Sequence, residues 1–169
     1  MWSLVTGDIL AVKADALVCS ANPFLTLSGG VGGAFLLRYG PQMQERLQAY
    51  LDTRGVRHVP PGTVVAMPPC GAPYKAVLHA VAVDGAYGSS SQRITQVVEQ
   101  ILTLAESTGA GSVVLPALAT GYGKLTKKEF AEGLRPLVTQ GRTTRNMIVC
   151  LKREEDAVLI RALLGLDAP

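Results

Sequence analysis

Cysteine is scarce in this 169-residue chain and odd in number: Cys19, Cys70 and Cys150 lie far apart. Such a set excludes a disulfide framework, suits a reducing compartment, and offers no metal-ligand spacing. Aromatic residues make up only 5% of the sequence, with no stacking motif among the basic residues, so capture of nucleic acid on an aromatic platform is not expected. No segment approaches the ~20 unbroken apolar residues of a membrane span, and membrane partners are not expected. Residues 1–6 carry no positive stretch ahead of an apolar run, so no secretory signal is expected and the reading is cytoplasmic. Nor is charge of one sign concentrated: 16 Lys and Arg against 13 Asp and Glu leave a net +3 spread along the chain. That balance suits an anionic ligand and an ordinary solvated surface equally.

What is present is apolar sequence punctuated by glycine, 48% hydrophobic residues with 18 Gly. The length is that of one domain over residues 1–169, able to bury roughly two-thirds of its unfolded surface in one core. Residues 2–5, 16–19, 63–67, 76–83, 112–116 and 147–151 are short, rich in Val, Leu and Ala and bounded by Gly, Pro or Asp, and they read as strands. Helical spacing appears between them. Ile94, Val97, Val98, Ile101, Leu102 and Ala105 follow the i, i+3, i+4, i+7 rule, with serines 89–91 before and Gly109 after. Residues 34–39, 41–53 and 157–164 read as helices, the last behind the acidic run Glu154, Glu155, Asp156, which suits a positive helix N-terminus. Thr126 and Glu129 form a capping-box pair at the start of another, in which Pro136 predicts a kink or an early end near Arg135. Alternating strands and helices imply an α/β fold, a three-layer α/β/α sandwich on a mixed, mostly parallel sheet.

Two loops fall where open α/β sheets bind ligands, between the carboxyl end of a strand and the start of a helix. The first, 22–33, ends in Ser28-Gly-Gly-Val-Gly-Gly33. Glycine lets backbone N–H groups approach a ligand, and the helix start adds partial positive charge, so a phosphate suits it. The second, 117–124, offers Gly121 and Gly123 for backbone approach, the Thr120 hydroxyl as donor and the Lys124 ammonium. Two such loops facing each other would hold a diphosphate; tight turns alone would also account for the glycines. Neither loop is a Walker or Gly-x-Gly-x-x-Gly signature. Asp8 could accept a hydrogen bond from an exocyclic amine such as that of adenine, or cap a turn.

Taken together, "GDI" at 7–9, "ADALVCSAN" at 14–22, Asn22 followed after six residues by Gly29-Gly-Val31, "KAVLHAV" at 75–81 and "VVLPALATGYG" at 113–123 resemble the macrodomain family, α/β/α modules that bind ADP-ribose. The resemblance implies a monomer whose ligand is ADP-ribose or an ADP-ribosylated macromolecule, with no other cofactor and no metal. It implies that Asp8 and the Ile9 backbone meet adenine and that Ala21 and Asn22 lie near the distal ribose. Ser28, Gly29, Gly30, Val31 and Gly32 would wrap the diphosphate from one side, with Pro116, Ala119, Thr120, Gly121, Tyr122 and Gly123 closing from the other. Leu151 stands where the family often places an aromatic residue against adenine.

The departures bear on mechanism. Ester-hydrolysing members usually follow Gly-Gly-Val with aspartate, where this chain has Gly32; a carboxylate can position or deprotonate water and a glycine cannot. Cys19 replaces the first asparagine of the usual "NAAN". The second loop is one residue short, and the branch that resolves ADP-ribosyl-glutamate has a lysine and an aspartate where this loop has Gly123 and Lys124 without the acid. The leading expectation is a binding module. The alternative is an ADP-ribosyl hydrolase that orients water with Asn22 and a phosphate of the substrate. A basic patch of Lys124, Lys127, Lys128, Arg142 and Arg145 reads as a solvated face rather than a nucleic-acid surface. His79, mid-strand among apolar residues, reads as a core residue; His58 lies in a basic loop. Cys19 reads as a small buried hydrophobe rather than a nucleophile. Asp84 and Tyr87, on the loop after a strand, could shape the outer wall of a pocket.

Overall fold

The computed structural model describes residues 1–141 and 146–166. In chain order the elements are β1 (Trp2–Thr6), a 3-10 turn (Ile9–Ala11), β2 (Ala16–Ser20), α1 (Gly30–Tyr39), α2 (Gln42–Thr53), β3 (Val64–Met67), β4 (Ala76–Ala80), α3 (Ser91–Ser107), β5 (Ser112–Pro116), α4 (Lys127–Thr139), β6 (Asn146–Leu151) and α5 (Glu154–Leu164). One six-stranded sheet runs β1-β6-β5-β2-β4-β3. Its pairs are parallel except β3 with β4, which is antiparallel, so the sheet is mixed and mostly parallel.

The apolar strands are explained by burial on both faces. In β4 every residue is buried; alternate positions feed two cores. Ala76, Leu78 and Ala80 face the layer of α3, α4 and α5, while Val77, and Val81 just past the strand, face α1 and α2. Helices therefore cover both faces, the three-layer arrangement expected. Among the described residues no helix is long and apolar enough to cross a membrane.

Local signals act as their chemistry dictates. The Ser90 hydroxyl accepts from the Arg93 N–H at the start of α3, and Thr126 and Glu129 form the reciprocal capping box of α4. Several boundaries differ from the sequence reading. α4 continues through Pro136 to Thr139, because the turn beyond the proline is held by burial of Leu137; packing of an apolar face outweighs the lost N–H. α5 begins at Glu154, so the acidic run forms its first turn rather than preceding it. β4 ends at Ala80 and α1 begins at Gly30, taking the glycines into its first turn. The last difference determines what the first loop presents.

Candidate functional site

A cleft of about 570 Å³ lies at the carboxyl ends of β2, β5 and β6, where Ser20, Pro116 and Leu151 line it. The first loop builds one wall. The Asn22 side chain braces it: Oδ1 accepts from the Phe24 N–H at 3.0 Å and the Thr26 N–H at 3.3 Å, and Nδ2 donates to the Thr26 carbonyl at 3.1 Å. Gln44 of α2 holds the next turn, accepting from the Leu27 N–H and donating to the Leu25 carbonyl. The chain then enters α1 through Gly29, an N-cap with no side-chain hydrogen bond, and no acidic residue stands in the first turn. The opening N–H groups of a helix have no intrahelical acceptor. Here they are uncapped, and Gly29, Gly30 and Val31 bring them to the cleft, a ready set of donors for an anion.

The second loop forms the facing wall through Ala117, Ala119, Thr120, Gly121, Tyr122 and Gly123. Ala119 takes a left-handed φ of 61°, and its carbonyl accepts from the Leu125 N–H, closing the loop. The two walls touch: a Cβ added at Gly29 would stand 2.8 Å from the Tyr122 ring. The facing-loop arrangement expected from sequence is thus present. One detail changes. The Thr120 hydroxyl donates to the Ala117 carbonyl at 2.8 Å, so its single proton is spent within the loop and only its lone pairs face a ligand.

Of the residues singled out in the sequence, the cleft gathers Ala21, Asn22, Ser28, Gly29, Gly30, Val31, Pro116, Ala119, Thr120, Gly121, Tyr122, Gly123 and Leu151. Asp8, Ile9 and Gly32 do not line it. Gly32 is buried, and a Cβ there would meet Leu27 at 3.0 Å. Asp8 both caps the 3-10 turn, accepting from the Leu10 N–H at 2.9 Å, and pairs with Arg38 of α1 at 2.8 Å; these two contacts hold its carboxyl below the usual carboxylate range. It nevertheless stands beside the cleft, since the neighbouring Gly7 N–H donates to the carbonyl of Leu151. Lys124 contributes its backbone, donating to the Tyr87 carbonyl, rather than its ammonium to the lining.

Sequence reasoning missed the end wall, where Cys150, Lys152, Arg153, Asp156 and Lys127 line the cleft. Periodicity counts Lys127 and Asp156 as ordinary helix-start residues; only the juxtaposition of α4 and α5 brings them together. Tyr87 does line the outer side, on a turn whose N–H groups at Ala86 and Gly88 are held by Asp84. Cys19 is fully buried, and desolvation pushes its thiol up to about 12, which removes it as a nucleophile. His58 meets Phe24 edge-on. Arg142 and Arg145 lie outside the described residues. Among the described residues no cluster of His, Cys, Asp and Glu is arranged to hold a metal ion.

The model of the Macro domain matches residues 18–133, more than half of the chain. The chain belongs to the Macro domain family. Full-length similarity agrees: this macrodomain is 32% identical over 169 residues to the O-acetyl-ADP-ribose deacetylase of Klebsiella pneumoniae, covering 96% of this chain and 95% of the relative. Its fold matches the Oceanobacillus iheyensis macrodomain solved with ADP at a TM-score of 0.85 and 22% identity, covering 96% of this chain and 88% of that one. It also matches the Trypanosoma brucei macrodomain in complex with ADP-ribose, at a TM-score of 0.76 and 21% identity over 96% and 68% of the two chains.

Proposed function

We propose that this macrodomain binds ADP-ribose, free or attached to a macromolecule, and holds it without cleaving it. The observation that carries the reading is the uncapped glycine start of α1 facing the second loop across one cleft. Such a surface suits a diphosphate: backbone N–H groups on one side and a helix N-terminus behind them. The solved macrodomains with ADP and with ADP-ribose support the choice of ligand.

Chemistry beyond binding needs a group to activate water. Among the described residues Asp156 is the sole carboxylate lining the cleft, and it is engaged by Arg153 at 3.3 Å and faces Lys127 at 3.9 Å. The Asn22 amide is largely spent on its own loop. The hydrolase reading rests on a different observation, the deacetylase name of the Klebsiella pneumoniae relative; it would have Asn22's remaining N–H and a substrate phosphate orient the water. Titration calorimetry with ADP-ribose is expected to show saturable binding. Incubation with an ADP-ribosylated protein and with O-acetyl-ADP-ribose is expected to liberate no product above the uncatalysed rate. Turnover by catalytic amounts of the unaltered chain would overturn the reader and establish the hydrolase.

Asp8, at the Leu151 end, supplies the contact to the adenine amine. Asp8→Ala is expected to weaken ADP-ribose and ADP by about 1–3 kcal/mol, the scale of a hydrogen bond to a charged group, while leaving pyrophosphate unchanged. Equal ADP affinity in the variant would leave Asp8 as the cap of the 3-10 turn and the partner of Arg38 only.

A further inference from the structure

The end wall of the cleft has an unusual makeup. On the proposed reading the purine reaches this end, beside Leu151 and Asp8, yet the aromatic residues lining the cleft, Tyr87 and Tyr122, stand elsewhere, on two loops tied together by the Lys124 N–H and the Tyr87 carbonyl. The β6–α5 side presents Cys150, Leu151, Lys152, Arg153 and Asp156. That side itself contributes no aromatic ring.

Arg153 is built to take that place. Its Nε donates to Asp156 Oδ2 and its Nη2 to Asp156 Oδ1, both at 3.3 Å, a bidentate arrangement that fixes the plane of the guanidinium. Nη1 pairs with Glu155 Oε1 at 2.7 Å. Each of the three nitrogens thus sits against a carboxylate, so the group is held by its edge from two sides. The anchor is firm, because Asp156 is itself only 9% exposed and lies in the first turn of α5, whose N-terminus favours its charge. The Arg153 side chain, by contrast, is 65% exposed and lines the cleft. A guanidinium held flat by its edge offers a planar, weakly hydrated π-face, the geometry in which arginine stacks on aromatic rings.

We propose that Arg153, held by Asp156 and Glu155, is the platform on which the purine of the ligand stacks, taking the part of an aromatic side chain. The inference rests on the reading of the cleft as an ADP-ribose site. It makes Arg153 a determinant of base recognition, with Asp156 acting through it as a positioning residue. Loss of the stack should be felt by any purine ligand and not by its phosphates alone.

The test compares Arg153→Ala, Arg153→Phe and Arg153→Lys in calorimetric titrations with ADP-ribose, ADP and inorganic pyrophosphate, each variant checked for an unchanged thermal melt. Arg153→Ala is expected to weaken ADP-ribose and ADP by about tenfold, the scale of one stacked base, and to leave pyrophosphate within about twofold. Arg153→Phe is expected to restore the affinity and Arg153→Lys to fail, since an ammonium has no face. Rescue by lysine but not phenylalanine, with pyrophosphate weakened alongside ADP, would assign Arg153 to the phosphates and overturn the stack. Unchanged ADP affinity in Arg153→Ala would overturn it while leaving the cleft reading intact. Absence of ADP-ribose binding by the unaltered chain overturns both.

Discussion

Gly30→Glu is expected to reduce ADP-ribose affinity at least a hundredfold, about 3 kcal/mol, on electrostatic grounds alone. Gly30 is the first residue of α1 and takes a φ of 55°, in the left-handed region that a side chain adopts at a cost of about 1–2 kcal/mol. A Cβ there meets nothing within 4 Å, and the residue lines the cleft, so a new side chain extends into the space reserved for the diphosphate. A carboxylate placed there sets charge against charge where water is partly excluded, and it occupies the helix N-terminus that the phosphates would otherwise use. Gly30→Ala separates the contributions. It carries the backbone strain without the charge, and should lower the melting temperature by a few degrees, about 2–4 °C per kcal/mol at this chain length, with a smaller loss of affinity. Titration of both variants with ADP-ribose and ADP decides the matter. Binding by Gly30→Glu within about threefold of the unaltered chain, well inside the electrostatic cost, would falsify the placement of the diphosphate at α1.

The second large effect concerns stability rather than binding. His79 is fully buried in β4, and neither ring nitrogen has a hydrogen-bond partner among the described residues. Its neighbours in the sheet are Cys19 of β2 and Val65 of β3, both buried, and neither can stabilise an imidazolium. Desolvation lowers its pKa to about 4. The unfolded chain, with an ordinary histidine pKa near 6.5, therefore binds a proton that the folded chain refuses. Stability is full above about pH 6.5, falls as pH drops through that value, and stops falling on this account below about 4. Between pH 7 and pH 5 the loss should be about 2 kcal/mol.

His79→Leu should remove that dependence, and should be at least as stable as the unaltered chain at pH 7, because two unpaired buried nitrogens go with the ring. Carboxylates held below their usual range, such as Asp15, Asp84 and Glu129, lose their contributions at lower pH, near and below about 4. The His79 window is thus separable. Urea unfolding of both proteins at pH 7 and pH 5 measures it, and parallel losses in the two would show that the buried ring is not the group responsible.

Much of this molecule is legible in its sequence because the signals are local. The Thr126–Glu129 box, the Ser90 cap and the apolar stripe of α3 act over three or four residues, and the chain neighbours that make them are always present. The short apolar strands announce burial on both faces, and that alone calls for helices on two sides. The glycine run was readable as a backbone surface, though its membership in α1 was not: helix propensity argues against Gly30, Gly32 and Gly33, and packing of Phe35 against the second core overrides it.

What only the tertiary structure decided is the set of contacts made across long stretches of chain. Sequence alone determined the α/β layers, the two glycine loops and their position at strand ends, since each follows from residue chemistry within a few positions. It did not determine that Tyr122 lies over Gly29, that Arg38 takes one oxygen of Asp8, or that Lys127 and Asp156, from two helices with β6 between them in the chain, meet at the end of the cleft. Those pairings depend on strand order, which places β6 between β1 and β5. Order in a sheet is set by the summed burial of the whole fold, and no short stretch of residues encodes it.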